Sequence, residues 1–350
     1  MRKPTVPACC ACRRARAFRR PALEHDEPLD LAELGRRLGH DLHRHSRLPA
    51  TTTWPPAVLE GFLAAQARGG RRAEPDRHTR KWLQLRLGAL ARGRAVADDV
   101  TPQALRDLDL ATCPVTRQPL THGCGQPSDW SVDRLNNDGA YVLGNLAVVS
   151  ARANRAKAAL GFVAVLQRAQ AATSSDGLPP AAWLRLAVLM LGPVFASRPL
   201  DAPDLPLCAP LPAASLRTAT QQVQRLLTLA AGQAAARNRL IRQLAPGPAQ
   251  DPATRRLSLL AERLHHALKR LPAGAECWDA WLCPEVMASL HAWRASHDRA
   301  AWGQVARRVA ALAGGRAVPT QALLLWRLPS RGYLAHHPSA LLSSLKSALP

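Results

Sequence analysis

The chain is poor in acid. Its 350 residues hold 25 Asp and Glu against 47 Lys and Arg, a formal net charge of +22. Such an excess points to an anionic partner, either nucleic acid or an acidic membrane surface. Arginine far outnumbers lysine and Ala, Leu and Pro abound, a pattern that GC-rich codon usage also produces, so the charge has a compositional source as well. Long apolar runs are missing too. The best stretch, Ala181–Ala196, is interrupted by Arg185 and Pro193 and falls short of the ~20 apolar residues that span a bilayer, so it reads as a buried helix and no membrane partner is expected. No acidic residue precedes Glu24, but the basic opening segment also lacks the apolar stretch of a secretory signal, which argues for a cytoplasmic address. The eight cysteines are scattered, which fits reduced thiols better than a disulfide framework. No fixed-period repeat stands out, which argues against a solenoid.

What is present divides the chain into four stretches. Residues 1–28 form a basic arm with no folding signal; residues 29–112 read as helical. Apolar residues recur at helical spacing from Leu29, from Pro55-Pro56 and from Thr79, and Thr101-Pro102 has the form of an N-cap followed by a first-turn proline. Residues 113–172 change texture, with Asn136-Asn137-Asp138-Gly139 as a turn between extended runs. The β-branched run Leu146–Ser150 reads as a strand, and Ser150 can cap a helix running on through Gln170. Residues 173–350 are a helical C-terminal domain, with linkers expected at Ala172–Pro180 and in the proline-dotted Pro199–Ala213 and breaks at Pro246–Pro252 and after Ala313. The expected class is α+β, a mainly helical protein with a small strand–turn–strand–helix module.

The segment Trp130–Leu160 carries the chemistry. Asp133 and Arg134 sit on the first strand, and Gly139, Tyr141, Gly144 and Asn145 precede the second. Asn154 and Lys157 lie one turn apart on the helix. Asn is a poor mid-helix residue, so Asn154 in an Ala-rich helix has no local reason to be there. This pattern resembles the HNH (ββα-metal, His-Me finger) endonuclease superfamily, in the variant with Asp-Arg on the first strand and Gly-x-Tyr-x-x-Gly-Asn before the second. The resemblance covers residues 113–160. It implies a divalent metal, Mg or Mn, held by Asp133 and Asn154 beside a scissile phosphate of nucleic acid, DNA in the first place. Asn145 would orient the site. Lys157, Arg134, Arg152 and Arg155 would touch phosphate, and the basic arm would add salt-sensitive affinity.

Two departures limit the resemblance. Where most of the superfamily has a His base, this chain has Arg134, which cannot give up its proton; an alignment on the non-specific nucleases puts Asn136 there instead. His122 is the nearest imidazole in sequence. The paired Cys-x-x-Cys positions of many members are occupied by Cys113, Thr116, Ser150 and Ala153, so no structural zinc is expected. Three functions stay open: a metal-dependent endonuclease, a nucleic-acid-binding protein that kept the module without its chemistry, and a helical adaptor with a remnant module.

Other signals have plainer readings. Cys9, Cys10 and Cys12 belong to the basic arm, and His40, His43 and His45 read as an exposed helix face. Trp82, Trp183, Trp293, Trp302 and Trp326 fall at core spacing, and packing also accounts for Cys277 and Cys283 beside Trp278 and Trp281.

Overall fold

The computed structural model describes residues 30–45, 53–69, 72–94, 96–196, 198–212 and 214–313. The arm with its three cysteines, Trp326 and the break after Ala313 lie outside the described residues. The described chain is mainly helical with one two-stranded antiparallel sheet, an α+β protein.

Four helices precede the sheet: α1 (Leu31–His45), α2 (Pro56–Arg68), α3 (Arg77–Leu90) and α4 (Pro102–Leu108). The first two cross closely, because Gly39 and Gly61 leave no room for side chains: a Cβ on either would lie 2.1 Å from a carbonyl oxygen of the other helix. Thr101 caps α4 by accepting the Ala104 N–H, as its sequence position suggested. His43 departs from the exposed face expected of it: it is buried, with its ring edge-on to Phe62, because α2 covers that side of α1.

Strands β1 (Trp130–Arg134) and β2 (Leu146–Ser150) pair in the register Trp130↔Ser150, Asp133↔Ala147 and Arg134↔Leu146. Every residue of β2 is buried, so both faces of that strand are covered. Ser150 ends β2 and caps α5 (Ala151–Lys157) through the Ala153 N–H. The helix expected to run on to Gln170 is two helices. Ala158 turns to φ +42°, its carbonyl and that of Leu160 accept from Asn137 Nδ2, and the chain restarts as α6 (Phe162–Ala169).

Helix α7 (Pro180–Phe195) is buried from Leu186 to Phe195, and among the described residues no helix is long and apolar enough to cross a membrane. Beyond it lie α8 (Ala219–Ala230), α9 (Ala234–Leu244), α10 (Pro252–Lys269), α11 (Pro284–Ala295) and α12 (Arg299–Leu312). Trp183, Trp281, Trp293 and Trp302 are all buried there. The segment Pro199–Ala213 is not the solvated linker its prolines suggested. Leu205, Leu207 and Cys208 are buried, and the Leu205 and Cys208 carbonyls accept from Gln224 and Arg117. One apolar cluster extends from Ala89 to Val309, crossing the boundary expected near residue 172. Arg117 also reaches across it to Asp279, and Arg185 to the Val115 carbonyl.

Candidate functional site

Helix α5 lies over β1 so that two side chains one turn apart meet two strand residues on one face. Asn154 Nδ2 donates to Ser131 Oγ at 2.7 Å, and Lys157 Nζ stands 3.2 and 3.1 Å from the two oxygens of Asp133. Lys157 is completely buried. Its ammonium also donates to the Arg134 carbonyl at 2.7 Å and to Asn137 Oδ1 at 2.9 Å. An ammonium has three donors, and here all three have partners. Burial pushes the Asp133 carboxyl above its ordinary range, while the Lys157 charge and hydrogen bond pull it back.

The loop from Leu135 to Asn145 folds over this pair, and Asn145 holds it. Its Oδ1 accepts from the Asn136 N–H at 2.7 Å, and its Nδ2 donates to the carbonyls of Asn136 and Ala140 at 2.9 and 3.0 Å. Gly139 is part of the same fit, since a Cβ there would lie 2.7 Å from Asn145 Nδ2. Arg134 is drawn into the loop as well. Its Nη1 donates to the carbonyls of Asn137 and Gly139 at 2.8 and 2.9 Å, and its guanidinium lies 4.8 Å from the centre of the Tyr141 ring.

Two of the cations expected at phosphate differ in access. Lys157 is buried beneath the 135–145 loop, whereas Arg134, with Nη1 engaged by loop carbonyls, is half-buried and lines the cavity beside the pair. Arg152 and Arg155 are exposed; they bond the Gly177 and Ala151 carbonyls, respectively.

A cavity of about 370 Å³ opens beside the pair, lined by Asp133, Asn154, Asn137 and Ser131 and, across from them, Lys81 and Arg92. These last two were not singled out in the sequence. They belong with Gln84, Leu85 and Gly88 to one side of α3 and its C-terminal extension, a spacing that marks a face without saying what it meets. Lys81 donates to the Trp130 carbonyl at 3.0 Å, and Arg92 to the Tyr141 hydroxyl at 2.9 Å. Burial lowers the pKa of Lys81.

A divalent cation at Asp133 would need several oxygen donors. Among the described residues Asp133 is the one carboxylate lining the cavity, and it already faces an ammonium at contact distance, so a second cation there meets strong repulsion. Among the described residues no three His, Cys, Asp or Glu side chains converge on a metal-binding geometry. The residues present do not fit a divalent ion while Lys157 holds that place. His122 supplies no base to Asp133: it stands against Trp130, ring centres 5.2 Å apart, with Nε2 3.9 Å from Asp109, and does not line the cavity.

Cys113, Thr116, Ser150 and Ala153 come together through hydrogen bonds. Cys113 Sγ accepts from the Ser150 and Thr116 amides at 3.2 and 3.4 Å, and Ser150 Oγ accepts from Ala153. No protein-family model, curated protein or solved structure matches the chain.

Proposed function

We propose that this protein binds nucleic acid and that its strand–loop–strand–helix module is a scaffold, not a metal-dependent nuclease site. One observation carries this reading: the ammonium of Lys157 occupies the cation position beside Asp133, wholly buried and with each of its donors bonded. The affinity comes from the +22 charge of the chain, through counterion release on contact with phosphates. The endonuclease reading draws on Asp133 and Asn154 lining one cavity with Lys81 and Arg92, and it requires Lys157 to leave Asp133.

Supercoiled plasmid incubated with the full chain in Mg²⁺ or Mn²⁺ separates the two. The expected outcome is no nicking, together with duplex binding that falls steeply with salt and is indifferent to a chelator. Metal-dependent nicking that is abolished by Asp133→Asn would overturn the proposal, as would failure to bind DNA or RNA at low salt.

A further inference from the structure

Helix α3 has a second cavity on its other side. It encloses about 530 Å³ between α1, α3 and residues 96–100, a volume typical of small-ligand sites. Leu38 and Leu90 form an apolar part of its wall, and Trp82 is fixed beside them by a 2.7 Å hydrogen bond from Nε1 to the Val100 carbonyl. Arg86 lies over the Trp82 ring, 4.3 Å from its centre, and pairs with Asp41. Arg68 and Arg94 stand at the exposed rim, and among the described residues no carboxylate pairs with either.

We propose that this cavity binds a nucleotide unit, with Arg68 and Arg94 on its phosphate and the base lodged by Trp82 and the leucines. Unpaired guanidiniums at a cavity mouth suit the oxygens of a phosphate ester. The interior suits a planar, partly polar body. Trp82, Leu38 and Leu90 offer apolar surface, while the exposed Asp98 at the cavity's edge can accept from an amino group such as a base carries. The nucleotide comes either free or as one residue of a single strand; the second source rests on the nucleic-acid reading above, and the first does not.

The test uses the full chain with three probes: AMP by calorimetry, and a fluorescein-labelled 12-mer single strand and a labelled duplex by anisotropy. Arg68→Gln/Arg94→Gln is compared with Arg255→Gln/Arg256→Gln, which removes the same charge from the exposed side of α10. Melting temperatures confirm that both variants fold. A tenfold or greater loss of AMP affinity in the rim variant alone supports the site with a free nucleotide. No AMP binding, with the same selective loss for the single strand, supports it with a strand residue, and the salt slope should then fall by about 1.4. If the rim and control variants weaken every probe equally, or if the wild type binds neither AMP nor the single strand, the cavity is not a nucleotide site. Duplex binding that survives in that case leaves the nucleic-acid reading standing.

Discussion

The two flanks of α3 use cationic side chains in opposite ways. On the β1 side the cations are bonded within the protein: Lys157 to Asp133 and Asn137, Arg134 to loop carbonyls, Lys81 to the Trp130 carbonyl and Arg92 to Tyr141. On the α1 side Arg86 is paired with Asp41, but at the cavity mouth no carboxylate among the described residues pairs with Arg68 or Arg94. Lys157 and Arg134 of the motif thus act as internal fasteners, Arg152 and Arg155 on α5 stay exposed, and Arg68 and Arg94 open to an anion where no motif pointed. Net charge states how many cations a chain has. Only the packing states which of them a partner can reach.

The largest effect should come from breaking the fastener. Lys157→Met leaves the Asp133 carboxylate buried without its counter-charge, which costs about 3–5 kcal/mol of stability by analogy with other buried pairs. The loss should shrink at acid pH. Burial already raises the Asp133 carboxyl, and without Lys157 it takes up a proton more readily still, which removes the uncompensated charge. Asp133→Leu combined with Lys157→Met should recover most of the stability, since a buried ion pair replaced by apolar groups is often neutral or better. Urea unfolding of the wild type, the single variant and the double variant checks both steps. A single variant as stable as the wild type would show that Asp133 does not depend on Lys157, and the contrast between the flanks would fail.

A smaller loss is expected from Asn145→Ala. It removes three hydrogen bonds and leaves the buried Asn136 amide without an acceptor, for about 1–3 kcal/mol. Because the loop covers Lys157, amide exchange in residues 135–145 should speed up before the rest of the protein responds. Uniform acceleration across the chain would mean that the loop is not a separately held lid over the ion pair.

Much of this arrangement was legible in the sequence, and the remainder was not for identifiable reasons. The turn residues and the β-branched run located the strand pair and the loop, and local chemistry located the caps at Thr101 and Ser150. Helical spacing correctly put Asn154 and Lys157 on one face. Spacing does not say what covers a face, and here the cover is a loop that is itself ordered by Asn145. The same gap explains His43 beneath α2 and the proline-dotted segment drawn into the core by Gln224 and Arg117. The break at Ala158 is set by Asn137, a residue 21 positions earlier, so no local rule could place it.

The smallest predicted effect concerns the wall the two flanks share. Asp76 caps α3 by accepting the Thr79 N–H at 2.7 Å, and it also pairs with Arg106. The Thr79 bonds, with Arg106 behind them, hold its carboxyl well below the usual range despite a small opposing effect of burial. A carboxyl lowered on folding contributes stability that is fully present above its unfolded pKa, about 3.9, and is lost as the pH falls toward the folded value. Asp76→Asn keeps a good capping oxygen but cannot titrate. Its stability should therefore lack this one component of the acid-side decline, while Asp76→Ala should cost about 1 kcal/mol at pH 7 and progressively less below pH 4. Thermal melts of the three proteins between pH 7 and pH 3 read the difference directly. Both cavities depend on where α3 begins and how firmly it stands, so the Ala variant should loosen amide protection on the two flanks together. If the Asn variant declines with acid just as the wild type does, Asp76 does not govern α3, and the two cavities do not share a wall in the energetic sense.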